Sequence, residues 1–121
     1  MERKFEILIV DDDVGLALNL RDILEEQGYR VAVTHDGQTA LTLSCEKIFD
    51  LAIIDIRLPD IPGDLVINKL SGVSPRTEYI LITGYASLES AVKAVRWKNI
   101  ISYEIKPFDI DRLILLIDQV T

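Results

Sequence analysis

The sequence predicts an α/β domain, a five-stranded parallel sheet covered on both faces by helices, and three observations carry that reading. Ile7 to Val10, Leu51 to Ile54 and Tyr79 to Ile82 are almost unbroken apolar runs, rich in β-branched residues and too short for helices, as buried strands are. The stretches between them carry apolar residues at helical spacing. The two patterns alternate along the whole chain, with Val31 to Val33 and Ile100 to Ile105 as the two weaker strands.

Each helical stretch has its own signal. Leu16, Leu20, Ile23 and Leu24 form one stripe that stops at Gly28, a residue suited to the left-handed position after a helix. A second, less regular stretch runs from about Gln38 to Glu46, and a third around Leu65 to Leu70 follows a loop containing Pro59, Pro62 and Gly63. Leu88, Ala91, Val92 and Val95 repeat at helical spacing, as do Leu113, Leu116, Ile117 and Val120, where Asp109 is placed to cap the start. Ile110, Ile114 and Leu115 join the inward set of this last helix, which then has more apolar positions than one core stripe needs. That surplus makes it the candidate dimer or effector surface.

Composition narrows the function. A chain of 121 residues is one domain, residues 1–121, able to bury about two thirds of its unfolded surface. Twenty acidic against thirteen basic side chains give a net charge of -7, which opposes direct binding to nucleic acid and offers no basic footprint for a membrane surface. No apolar run approaches the roughly 20 residues of a membrane span, so a soluble protein is expected. The lone Cys45 excludes an internal disulfide, and the first residues, Met-Glu-Arg-Lys, lack the apolar core of a signal peptide. The expected location is therefore the reducing cytoplasm. The chain ends directly after its last helix, so no effector domain is expected within it. One histidine and one cysteine cannot build a common zinc site, and a metal here would need oxygen ligands.

Ligands of open parallel sheets bind beyond the carboxyl ends of the strands, which gives the residue after each apolar run a privileged place. Strand one runs into Asp11, Asp12 and Asp13, strand three into Asp55, strand four into Thr83 and strand five into Lys106. Taken singly, each has a bland reading: Asp13 is a cap of the first helix, an acidic pair is commonly a solvated turn, and a lone Thr or Lys is usually structural. Together, complementary groups at the ends of four separate strands argue for a site. Crowded carboxylates repel unless a cation sits among them, and magnesium, which takes few protein carboxylates and keeps water or phosphate oxygens, suits this inventory better than calcium. The remaining carboxylate is free to attack phosphorus and form an acyl phosphate, with ammonium and hydroxyl groups stabilising the spread charge.

These segments resemble the receiver domain of two-component response regulators, over nearly the whole chain. Ile7-Leu-Ile-Val-Asp-Asp-Asp13 is similar to the family's first strand with its metal-binding acid pair, which falls on Asp11 and Asp12. Asp50-Leu-Ala-Ile-Ile-Asp-Ile-Arg-Leu-Pro59 resembles the phosphoacceptor segment and implies Asp55 as acceptor and metal ligand, with the Arg57 backbone carbonyl as a further ligand. Ile80-Leu-Ile-Thr-Gly-Tyr-Ala86 resembles the fourth strand with its switch hydroxyl on Thr83. Tyr103-Glu-Ile-Lys-Pro-Phe108 resembles the fifth, with Tyr103 as switch aromatic, Lys106 as phosphate partner and a cis peptide between Lys106 and Pro107.

The resemblance implies a flavodoxin-like (βα)5 fold with strand order 2-1-3-4-5, Mg2+ as cofactor, and a phosphohistidine on a sensor histidine kinase or phosphotransfer protein as donor. Phosphorylation would draw Thr83 and Tyr103 inward and shift the surface of helix four, strand five and helix five, the expected contact for an effector domain or a homodimer. Some residues depart from the family pattern. Trp97-Lys-Asn-Ile-Ile-Ser102 lacks the Gly-Ala pair common before strand five, and Pro62 replaces an acidic residue before Gly63, stiffening that loop. Arg57 and Tyr85 occupy the variable positions two beyond Asp55 and Thr83, where large side chains could shield an acyl phosphate. Cys45 is read as a small packed hydrophobe, His35 as a loop residue, and Trp97 either as packing at the end of helix four or as part of an interface.

Two rival functions are defined by single residues. A receiver-like interaction module that is never phosphorylated would be expected to have lost Asp55, Lys106 or the acid pair. An aspartate-dependent phosphatase commonly carries a second Asp where this chain has Arg57. Nucleotide or flavin binding lacks its glycine-rich fingerprint.

Overall fold

The computed structural model describes residues 4–84 and 99–121. They form β1 (Glu6–Val10), α1 (Val14–Glu26), β2 (Arg30–Thr34), α2 (Gly37–Glu46), β3 (Leu51–Asp55), α3 (Gly63–Val73), β4 (Glu78–Thr83), β5 (Ile100–Ile105) and a C-terminal helix (Ile110–Val120). All the strands pair in parallel in one sheet, in the order β2-β1-β3-β4-β5. The helical stretch expected around Leu88 to Val95, with Tyr85 and Trp97, lies outside the described residues.

The unbroken apolar runs are explained by burial on both faces. Leu8, Val10, Ala52, Ile54 and Leu81 point to one side, against Ala40 of α2 and Val66, Ile67 and Leu70 of α3. Ile7, Ile9, Leu51, Ile53, Ile80 and Ile82 point to the other, against Ala17, Leu20 and Leu24 of α1 and Leu113 and Ile117 of the C-terminal helix. A strand whose successive side chains alternate between two dry layers has no position for a polar residue. The edge strands β2 and β5 are only partly buried, and their sequence signal is correspondingly weaker.

Carboxylates start three of the helices. Asp13 accepts from Leu16 N at 3.1 Å, Asp36 from Thr39 N at 2.7 Å, and Asp109 from Asp111 N at 3.0 Å and Arg112 N at 3.3 Å. Each such cap contributes about 1 kcal/mol. α1 ends where expected, with Gly28 at φ 97°. α3 begins after Pro62 without a side-chain cap.

Two packing expectations are corrected. Cys45 is exposed, because Ala40 and Ser44 are the residues that α2 buries and Cys45 lies one step round the helix toward solvent. Leu115 is 63% exposed, since it sits about 200° round the helix from Leu113, which with Ile117 forms the buried stripe. Ile110 and Ile114 are partly buried.

Candidate functional site

Strand register builds the site at the carboxyl edge of the sheet. Val10 pairs with Ile54, so Asp11 and Asp55 emerge side by side from β1 and β3. Asp55 pairs with Ile82 and Thr83 with Ile105, so Thr83 and then Lys106 emerge one step further along. Lys106 N donates to Thr83 O at 2.7 Å, extending the ladder, and the Lys106–Pro107 peptide is cis. The long Lys106 side chain reaches back across β4.

Its Nζ lies 3.0 Å from Asp55 Oδ2 and 2.9 Å from Asp11 Oδ2. Asp11 and Asp55 are buried and Asp12 is exposed, yet ligand oxygens of all three lie within 4.8 Å of one another. Asp11 Oδ1 accepts from Asp13 N at 2.9 Å and from Lys106 at 3.2 Å. Asp11 Oδ2 is buried and, although close to the ammonium, receives no aligned hydrogen bond among the described residues. That oxygen has acceptor capacity left over, which a divalent cation would use. The donor set, carboxylates without nitrogen or sulfur, fits a hard ion of the magnesium type.

Electrostatics follow from the crowding. Burial pushes the Asp11 carboxyl above its ordinary pKa and Asp55 adds repulsion, against the lowering effect of the Asp13 amide and Lys106. Burial acts to lower Lys106, but the hydrogen bonds and charges of Asp11 and Asp55 outweigh it and hold the ammonium pKa above the usual lysine value.

The phosphoacceptor candidate is held from behind. Arg57 N donates to Asp55 Oδ1 at 2.9 Å, and Ile56 N donates to Ile82 O at 2.9 Å. Thr83 is buried at the end of β4. Tyr103 packs against the core layer that α2 and α3 cover, and its hydroxyl oxygen is buried without a hydrogen-bond partner among the described residues. Asp13 stands apart as the α1 cap.

Two contacts were not anticipated by the sequence. His35 Nδ1 lies 3.0 Å from Asp11 O, and because a carbonyl only accepts, that nitrogen carries the proton. Asp60 takes two amides at the start of α2, Gly37 N at 2.8 Å and Gln38 N at 2.9 Å. Nothing in the local sequence around Asp60 points to a helix 22 residues away.

Comparisons with known proteins bear on this geometry. Residues 7–118 match the family described as the response regulator receiver domain. The chain is 36% identical over 110 residues to the transcriptional regulatory protein ZraR of Salmonella typhimurium, covering 91% of this chain and 25% of that protein. It therefore spans about a quarter of the length of that curated relative. A CheY-like response regulator receiver domain protein from Methanospirillum hungatei superposes with TM-score 0.91 at 33% identity, covering 97% of this chain and 93% of that one. A response regulator from Burkholderia pseudomallei, solved with a phosphorylated aspartic acid, a calcium ion and citrate, superposes with TM-score 0.85 at 29% identity, covering 93% of this chain and 66% of that one. Among the described residues, no helix is long and apolar enough to cross a membrane.

Proposed function

Because the chain belongs to the response regulator receiver domain family, we propose that residues 1–121 act as one receiver domain whose Asp55 accepts a phosphoryl group from a phosphohistidine in a magnesium-dependent reaction. The donor is a sensor histidine kinase or a phosphotransfer protein. The observation that carries this reading is the approach of the Asp11, Asp12 and Asp55 carboxylates to within 4.8 Å, with the Lys106 ammonium 3.0 Å from Asp55.

Asp11, Asp12, Asp55 and the backbone carbonyl of Arg57 would hold Mg2+, which supplies positive charge to the carboxylates and to the oxygens of the transferred group. Arg57 N fixes the Asp55 carboxylate before reaction, so little orientation has to be gained during transfer. An Asp55 oxygen forms the O–P bond as the P–N bond to the donor imidazole breaks, the bond pair leaving on the imidazole nitrogen. Lys106, already bridging Asp11 and Asp55, turns its ammonium to the equatorial phosphoryl oxygens as charge spreads over them. The Thr83 hydroxyl binds one of those oxygens.

Thr83 and Tyr103 then carry the change to the face of β5 and the C-terminal helix, where an effector region or a second copy docks. On this reading the phosphoaspartate is the message, and the domain promotes its own phosphorylation and dephosphorylation without turning over outside substrates. It works in the cytoplasm and makes no direct contact with nucleic acid. Intact-protein mass after incubation with acetyl phosphate tests the assignment. The expected result is a gain of one phosphoryl group that needs magnesium and is lost with chelator or in Asp55→Asn. Full labelling of Asp55→Asn would refute Asp55 as the acceptor.

A further inference from the structure

The loop between β3 and α3, residues 56–62, carries Arg57 and so presents a backbone group to the proposed metal. Its near end is fixed by the Arg57 and Ile56 amides, and its far end by Gly63 N, which donates to Ile56 O at 2.8 Å. Between these ends Leu58 and Ile61 rest on the core layer that α2 and α3 cover, and the exposed Asp60 supplies a polar tie to the start of α2. Asp60 Oδ1 accepts from Gly37 N at 2.8 Å and from its own neighbour Ile61 N at 2.9 Å, while Oδ2 accepts from Gln38 N at 2.9 Å.

The start of α2 is built to receive that carboxylate. A helix leaves its first four amides without internal partners. Here Ala40 N makes the first internal bond, to Asp36 O; of the amides before it, Thr39 N goes to the Asp36 side chain, and Gly37 N and Gln38 N go to Asp60. The fit is close: a Cβ on Gly37 would lie 2.8 Å from Val66 Cγ2 and 3.2 Å from Ile61 Cβ. The amide bonds and the positive end of the helix also hold the Asp60 carboxyl below its ordinary pKa.

We propose that Asp60 is a positioning residue for phosphoryl transfer, locking the loop that presents Arg57 onto the start of α2 so that the metal and phosphoryl groups meet a fixed backbone. The inference rests on the reading of Asp55 as a magnesium-dependent acceptor. A loop free to swing would misplace the Arg57 carbonyl, and small misplacements of positioning groups cost rate and affinity out of proportion to stability.

The test compares Asp60→Ala, Asp60→Asn and Asp36→Ala in the full chain. Magnesium affinity is read by calorimetric titration, transfer rate by acetyl phosphate labelling and stability by urea. Asp60→Ala should weaken magnesium binding by about tenfold, as loss of an outer partner of a metal site does, and slow labelling in parallel. Asp60→Asn keeps an oxygen for Gly37 N and should recover most of both. Asp36→Ala removes a cap from the same helix without touching the loop, and should lower stability while leaving magnesium affinity unchanged. Equal magnesium affinity and labelling in wild type and Asp60→Ala overturns the inference alone, as does an equal loss in Asp36→Ala. A wild-type chain that neither binds magnesium nor labels overturns the acceptor reading, and this inference with it.

Discussion

Gly63 lies so close to Asp55 that a Cβ added to it would stand 2.5 Å from the Asp55 carbonyl oxygen and 2.6 Å from Ile56 Cα. The obstruction is backbone, so it cannot be relieved by turning a side chain. The first turn of α3 is thereby pressed against the strand end that carries the candidate acceptor. Gly63→Ala should cost about 1–3 kcal/mol, the range for overpacking a filled site. A urea midpoint unchanged from wild type would show that the loop accommodates the methyl group. Because relief requires Asp55 or α3 to shift, labelling by acetyl phosphate should fall as well.

Asp11→Asn separates the cost of the acidic cluster from its use. Burial and Asp55 both disfavour the Asp11 charge, so a neutral amide of the same size should raise the stability of the metal-free protein at neutral pH. The gain from magnesium should vanish together with the charge. Wild type at about 100 times the dissociation constant gains about 2.7 kcal/mol, whereas the variant should gain little. Equal magnesium stabilisation in both proteins would remove Asp11 from the metal site.

Glu104 is a second test of buried charge, away from the metal. It is 3% exposed on β5, accepts from Ser102 Oγ and pairs with Arg112 Nη1 of the C-terminal helix at 3.0 Å. Arg112→Met leaves the carboxylate with Ser102 as its partner among the described residues and should cost about 1 kcal/mol, near the low end for an unsatisfied buried acceptor. Pairing it with Glu104→Leu should restore most of that loss, because no buried charge is then left without a partner. Additive losses in the double variant would mean that the two side chains do not interact.

The Tyr29 hydroxyl donates to Asp118 and so bridges the turn after α1 to the C-terminal helix. Burial and that hydrogen bond push its pKa from 10.0 up to about 12. A raised folded-state value means that the contribution is fully present below pH 10 and is lost as pH rises through about 12. The difference in ultraviolet phenolate titration between wild type and Tyr29→Phe should isolate one group with a midpoint about 12. A midpoint at 10 would show the bond absent in solution.

Much of the fold, and the residues gathered at the candidate site, are legible in the sequence. Ile7 to Val10 and Leu51 to Ile54 reveal buried strands because a sheet covered on both faces leaves no room for polar alternation. The candidate site residues end a strand, as Asp55 and Thr83 do, or follow one directly, as Asp11 and Lys106 do, so finding the strand ends finds them. Asp13, Asp109 and Gly28 were readable because caps act within one turn of their own position. Side-chain exposure was less legible: Cys45 and Leu115 are apolar enough for a core, and only the angle of each helix against the sheet turned them to solvent.

What the sequence by itself determined is therefore what local chemistry and periodicity control: the strands, the caps and the kinds of side chain placed at the candidate site. Tertiary structure decided the rest, namely that Lys106 spans Asp11 and Asp55, that His35 holds the Asp11 carbonyl, and that Asp60 closes the start of α2. Each of these contacts joins residues more than twenty positions apart. Such pairs depend on strand order, register and loop path, which belong to the whole packed chain and to no local stretch of it.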